Sequence, residues 1–274
     1  MDLFEEIVRM RRAGQRGALA TIVHTNGSIP SYESSRMLVR EDGTSLGTVG
    51  GGCVEADVWA AAREVMHKES PRKLVFTLNN EATYDNGLIC GGTVEIFLEP
   101  ILPQPVLYLF GGGHVSTAVA KAAQAIGFGV GVVDDREAFA NTQRFPMAQE
   151  IYTSYADAFQ KIRPGSSSYL VIVTRGHKED MRVLAWAVRT PARYIGMIGS
   201  KRKVLSVYKA LEKEGYTPEE FEHVYAPMGL DIGALSPEEI AVSIVAELVA
   251  VRRNAESLAH KKLKLVASDA VEAK

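Results

Sequence analysis

Residues 106–136 constrain the fold more than any other stretch of the chain. The apolar run Val106-Leu107-Tyr108-Leu109-Phe110 ends directly in Gly111-Gly112-Gly113-His114-Val115-Ser116. An alanine-rich stretch follows, and a second apolar run, Gly129 to Val133, closes on Asp134-Asp135-Arg136. Strand, glycine turn, helix and strand in that order make a βαβ unit, which requires a parallel sheet. The same order suits a nucleotide. Glycine lets backbone N–H groups approach a phosphate, and the helix points its positive end at the same place. The acid about twenty positions on is placed to accept hydrogen bonds from a ribose. Ser116 stands where the G-x-G-x-x-G pattern has its third glycine, and a small residue serves that packing position. A tight βα turn without a ligand would use the same residues.

Hydrophobic residues make up 46% of the 274 and charged residues 23%, enough apolar surface for two globular domains. A net charge of −2 argues against a nucleic-acid partner held by bulk charge. No apolar stretch approaches a membrane span, and Met1-Asp2-Leu3-Phe4-Glu5-Glu6 lacks a signal-peptide pattern. The 2 cysteines exclude a disulfide framework, so a cytoplasmic protein is expected, with no membrane partner. A homo-oligomer is the expected assembly.

Before residue 100 the pattern is a smaller α/β domain. Leu3, Ile7, Val8 and Met10 predict a helix over 2–13. Strands are expected at 18–23, 37–40, 74–78 and 94–98, and a helix over 53–67 with Val54, Val58, Ala61, Ala62 and Val65 on one stripe. Pro100, Pro103 and Pro105 mark the boundary. The expected domains are therefore 1–102 and 103–255, followed by a charged tail, 256–274, whose composition favours fraying. Beyond the boundary βα alternation continues with strands at 169–173 and 194–198 and helices near 180–189 and 200–214, implying a doubly wound parallel sheet. Ser236-Pro237-Glu238-Glu239 is a capping box with proline at the first helical position, opening a last helix that buries Ile240, Ile244, Leu248 and Val251.

Five further segments could carry chemistry, one of them Ala226 to Ala234, where Asp231 could orient a neighbouring basic group, bind ligand, or cap a turn through its own backbone. Gly50-Gly51-Gly52-Cys53-Val54-Glu55 leads three glycines into a helix, where amides can converge on an anion and the helix dipole favours a thiolate. A flexible turn with a small cysteine at its cap reads the same. Cys90-Gly91-Gly92 closes the polar stretch 79–87, which suits an exposed sulfur. Without a histidine cluster or C-x-x-C spacing, the two cysteines make a poor zinc site, and no metal site built from protein side chains alone is expected. Thiols beside a glycine cradle suit a sulfur-bearing or thiophilic ligand instead.

Thr174-Arg175-Gly176-His177 follows a strand, and strand C-termini line the crevice of a doubly wound sheet. Arg175 could hold a phosphate there, and His177 could act as acid, base or hydrogen-bond donor, or be a plain surface loop residue. Gly199-Ser200-Lys201-Arg202-Lys203 puts three cations in a first helical turn, against the dipole. A docked anion would relieve that conflict, and so would solvent. Cys53, Cys90 and His177 are the candidate catalytic residues.

Together these segments resemble the XdhC/CoxI family of xanthine dehydrogenase accessory proteins. The resemblance rests on Gly27-Ser28-Ile29-Pro30, Gly50 to Glu55, Cys90-Gly91-Gly92, Phe110 to Val115, Val133 to Arg136, Thr174 to His177, Tyr194 to Ser200 and Gly229-Leu230-Asp231-Ile232-Gly233-Ala234, in order along nearly the whole chain. It implies an XdhC/CoxI domain followed by a Rossmann-like domain. It also implies binding of molybdenum cofactor, in mononucleotide or dinucleotide form, sulfuration by a cysteine desulfurase, and delivery to an apo molybdenum hydroxylase. Gly111, Gly112, Gly113, His114, Arg175, Gly176, Ser200 and Lys201 are then expected near phosphate. Asp134, Asp135 and Arg136 are expected near a ribose, and Gly50, Gly51, Gly52 and Cys53 with Cys90 and Gly91 near the metal or sulfur end. The competing expectation is an NAD(P)-dependent oxidoreductase, in which His177 would be the proton donor.

Overall fold

The computed structural model describes residues 2–27, 33–78 and 92–255. Met1 and residues 28–32, 79–91 (Cys90 and Gly91 among them) and 256–274 lie outside the described residues. The chain divides into two compact units, Met1–Gln104 and Pro105–Lys274.

The first unit is built on an antiparallel sheet of β1 (Gly17–Gly27), β2 (Arg36–Arg40), β3 (Ser45–Gly47), β4 (Arg72–Leu78) and β5 (Gly92–Ile101), in the order β3-β2-β1-β5-β4. β5 shows why it pairs with one face buried: Val94, Ile96 and Leu98 are in the core, while Glu95 and Phe97 alternate outward. Helix α2 (Gly52–Lys68) covers that face with Val54, Val58, Ala62 and Val65 against Ala18, Ala20, Ile22 and Ile96.

Helix α1 (Leu3–Arg12) departs from its apolar pattern. Val8 is exposed, and the side chain that goes inside beside Met10 is Glu6, only 1% exposed. Arg9 Nε and Arg40 Nε donate to its carboxylate at 2.7 and 2.8 Å. The hydrogen bond from Arg9 outweighs burial and, with Arg40, holds Glu6 down at about 2. A carboxylate with two guanidinium partners can enter where a lone one cannot.

The second unit is a parallel sheet of β6 (Val106–Phe110), β7 (Gly129–Val133), β8 (Glu150–Tyr152), β9 (Ser168–Ile172), β10 (Tyr194–Met197) and β11 (Val224–Tyr225), in the order β11-β10-β9-β6-β7-β8. This is the doubly wound order of a Rossmann sheet, with its switch point between β6 and β9. Helices α3 (His114–Ala125) and α7 (Pro237–Arg252) cover one face through Val119, Ala123, Ile244 and Leu248. The other face is covered by α4 (Tyr155–Lys161), α5 (His177–Ala187) and α6 (Lys201–Lys213) through Tyr155, Leu184 and Val207.

The capping box of α7 is present: Ser236 Oγ accepts from Glu239 N, and the Glu239 carboxylate accepts from Ser236 N at 2.9 Å. The sequence pattern did not indicate β3, β8, α4 or β11, all too short to establish a period. Helix α5 begins at His177, three residues before its expected start, because Gly176 takes the N-cap position.

Candidate functional site

The glycine turn lies at the switch point. Gly111 N donates to Val133 O at 2.7 Å, and its φ is +113°. A Cβ there would stand 2.2 Å from Val173 O, so only glycine lets the chain leave β6 between β7 and β9. Gly112 N donates to Asp134 Oδ2 at 2.8 Å. Gly113 differs from both: it is the N-cap of α3, has φ −72°, and a Cβ there would meet nothing within 4 Å. No side chain caps α3. The turn therefore separates its glycines into two that the fold needs and one beside a helix N-terminus with its first-turn amides uncapped.

The acid pair after β7 is divided in the same way. Asp134 is buried, and besides Gly112 N it accepts from Arg136 N, Nε and Nη2 at 3.0, 2.8 and 2.8 Å. Burial pushes its carboxyl up, but the bonds from Arg136 and Gly112 outweigh it and hold Asp134 below the usual carboxylate range. Both oxygens are thus committed to the protein, and the Arg136 guanidinium lies 3.7 Å from the Phe139 ring centroid. Asp135 is the acid at the surface, paired with Arg175 at 3.0 Å.

Arg175, Gly176 and His177 follow β9, the strand beside the turn. Arg175 and His177 are exposed, and α5 too has no side-chain cap. Ser200 caps α6 by accepting from Lys203 N at 3.3 Å, and Lys201 is exposed. Of the three cations expected around an anion there, Lys203 turns inward. Its Nζ meets the buried Asp180 at 2.5 Å and donates to Ile198 O at 3.2 Å, while Thr174 Oγ1 donates to Asp180 at 2.7 Å. That buried pair accounts for one of the charges that oppose the dipole of α6.

One residue without a sequence signal shapes the glycine turn of the second unit. Arg144 Nη2 donates to Gly112 O at 3.1 Å and lies 3.4 Å from Thr117 Oγ1, bracing the glycine turn from a loop thirty-two positions away. In the first unit, Gly50, Gly51 and Gly52 all have positive φ and lead into α2. The amides of Val49 and Gly51 both donate to Glu55 at 3.1 Å, and the Thr48 hydroxyl donates to it as well. Burial raises the Glu55 carboxyl, yet these bonds prevail and keep it below the usual range. The anion those two amides hold is therefore the chain's own carboxylate. Cys53, in the first turn of α2, is exposed. Among the described residues no three His, Cys, Asp or Glu side chains come together as a metal-ligand set. No helix of the described residues is long and apolar enough to cross a membrane.

Comparison with known proteins agrees with this architecture. Residues 107–248 match the XdhC Rossmann domain and residues 10–78 match the XdhC and CoxI family. The uncharacterized protein YqeB of Escherichia coli (strain K12) is 31% identical over 257 residues, 93% of this chain and 47% of that protein. A probable xanthine dehydrogenase subunit of Bacillus subtilis (strain 168) is 33% identical over 59% of this chain and 47% of its own length. The chain thus spans about half the length of these two relatives. The molybdenum cofactor insertion chaperone PaoD of Escherichia coli (strain K12) is 25% identical over 89% of this chain and 86% of its own. A crystal structure described as a xanthine dehydrogenase from Bacillus halodurans superimposes with a TM-score of 0.52 at 25% identity, covering 93% of this chain and 96% of that one. With a doubly wound sheet that turns on Gly111 and a family match over more than half its length, the chain belongs to the XdhC and CoxI family.

Proposed function

We propose that the chain is an accessory protein that binds molybdenum cofactor, promotes its sulfuration by a cysteine desulfurase, and inserts it into an apo molybdenum hydroxylase of the xanthine dehydrogenase type. The observation that carries this reading is the uncapped N-terminus of α3, opening at Gly113 at the switch point of the sheet. Such a terminus attracts a phosphate through its backbone amides and its dipole. The cofactor, here cargo, carries one. The names of PaoD and of the Bacillus subtilis relative support the same direction.

In this reading Gly113 and the His114 amide hold the phosphate, with Arg175, His177, Ser200 and Lys201 at the neighbouring strand ends. Asp135, rather than the committed Asp134, takes the ribose of a dinucleotide form. Cys53 serves the metal or sulfur end, with Cys90 and Gly91 as the second thiol segment. Gly50 to Gly52, their turn closed by Glu55, position that cysteine and do not themselves hold an anion. The protein works in the cytoplasm, as a homo-oligomer.

The test is equilibrium binding of isolated molybdenum cofactor to the purified chain, with NAD(H) and NADP(H) titrated in parallel. Saturable cofactor binding, weakened about tenfold or more by Gly113→Asp, is expected. Binding of a nicotinamide nucleotide alone would overturn the reading in favour of an oxidoreductase. Cys53→Ser is expected to bind cofactor normally and to fail in a sulfuration assay with the desulfurase. Full sulfuration by that variant would remove Cys53 from the mechanism.

A further inference from the structure

The outer strand of a sheet leaves a row of backbone N–H and C=O groups outside the ladder, and folds blunt such edges with short strands or with charge. Among the described residues, three of the four sheet edges are short: β3, β8 and β11 run for 3, 3 and 2 residues. β4, the outer strand of the antiparallel sheet, runs for 7, Arg72 to Leu78, without proline or glycine. Among the described residues its strand partner is β5, from Arg72 opposite Leu98 to Leu78 opposite Gly92. Charge does not guard this edge either. Arg72 Nη1 lies 3.1 Å from Glu64 and Lys73 Nζ lies 2.7 Å from Glu95, so both cations of the strand are paired within their own chain.

Both faces of β4 carry apolar side chains to this edge. Leu74 and Phe76 pack against the core beneath α2 but are only partly buried. On the opposite face Val75 is 56% exposed, and Phe97 of β5, opposite Lys73 in the register, is 38% exposed. A second copy of the same strand fits what is left open. Two β4 strands paired antiparallel about a two-fold axis at Val75 align all 7 residues. Val75 then meets Val75, Leu74 meets Phe76, Lys73 meets Thr77 and Arg72 meets Leu78. The alternation of side chains keeps Leu74 and Phe76 on the α2 face in both copies, and no like charges stand opposite one another. Any other position of the axis shortens the ladder, and an axis at Lys73 would set two ammonium groups face to face.

We infer that β4 is the edge through which two copies of this chain associate, each five-stranded sheet continuing into the other. A symmetric antiparallel ladder of this length adds about six to eight main-chain hydrogen bonds. The two Val75 side chains pack over the axis on one face, and Leu74 packs against Phe76 of the other copy beneath it. The inference rests on the homo-oligomer of the proposed function and on no part of the cofactor reading.

Sedimentation velocity of the full chain over a concentration series should show a monomer–dimer equilibrium. Val75→Lys places two like charges on the axis and should weaken the dimer by about tenfold or more. Because Val75 is exposed, the melting temperature of that variant, taken at a concentration where the parent is monomeric, should stay within a few degrees of the parent. Val8→Lys, at an exposed valine of α1, should leave the equilibrium unchanged. The register has its own check in a Cys53→Ser, Cys90→Ser background. Val75→Cys should be oxidised by diamide to a covalent dimer, since residues directly opposed across a ladder are within disulfide reach, and Val8→Cys should not. A parent that stays monomeric throughout overturns both the homo-oligomer and this edge. A parent dimer indifferent to Val75→Lys keeps the homo-oligomer and overturns the edge, as does cross-linking of Val8→Cys to the extent of Val75→Cys.

Discussion

Lys203 Nζ lies 2.5 Å from Asp180 Oδ2, and Asp180 is completely buried. The pair ties α6 to α5 beneath the turns that follow β9 and β10, with Thr174 and Ile198 supplying the remaining hydrogen bonds. Removing the cation would leave a carboxylate stranded in a low-dielectric interior, which is far costlier than replacing both groups. Lys203→Met should therefore destabilise the chain by about 3–5 kcal/mol in urea unfolding, and Asp180→Leu combined with Lys203→Met should recover most of that loss. A single variant as stable as the parent would show that water, not Lys203, compensates Asp180.

The glycines of the turn should separate in the same experiment. Gly111→Ala forces a Cβ to within 2.2 Å of Val173 O at a positive φ. About 2–4 kcal/mol of stability should be lost. Gly113→Asp meets nothing within 4 Å and places a capping side chain on a helix that has none. Its stability should stay within about 0.5 kcal/mol of the parent or rise slightly, even as its charge repels a phosphate. A large loss of stability in Gly113→Asp would mean that this glycine serves the fold.

Acid should reveal the Glu6 cluster. The carboxyl sits at about 2 in the folded chain against an ordinary 4.5. A depressed folded value means that the unfolded state binds the proton first, so stability falls with falling pH. The Glu6 contribution is complete above about 4.5 and disappears as pH drops toward about 2. Asp134 and Glu55, lowered as well, act in the same direction. Glu6→Gln should make the unfolding midpoint less dependent on pH through that window, without abolishing the dependence. An identical pH profile for parent and variant would place the linkage elsewhere.

Glu55 should matter to the start of α2. Its loss leaves the Val49 and Gly51 amides and the Thr48 hydroxyl without their acceptor. Glu55→Ala should cost about 1–2 kcal/mol, as loss of a charged helix-terminal hydrogen bond does. Thiol labelling of Cys53 should also quicken as the first turn frays. An unchanged midpoint and labelling rate would show that solvent replaces the carboxylate.

Much of this molecule could be read from one dimension. The run 106–110, the glycines after it and the repeat of βα segments prescribe a parallel doubly wound sheet, since each depends only on spacing within some thirty residues. The capping box at Ser236 is equally local. What the sequence left open are choices among residues of one type, which only neighbours in space decide. Nothing local distinguishes Asp134 from Asp135. The sheet order does, by bringing β7 beside β6, so that Gly112 takes Asp134 across twenty-two positions and Asp135 stays outside. Likewise Lys203 is one of three adjacent cations until α5 packs beside α6 and offers a buried carboxylate. Glu6 looks like a surface acid until Arg40, thirty-four residues on, arrives beside it. Periodicity reports which face of an element is apolar. The partner of a buried charge is set by long-range packing, because desolvation makes each such group require a counter-charge or donor wherever in the chain it lies.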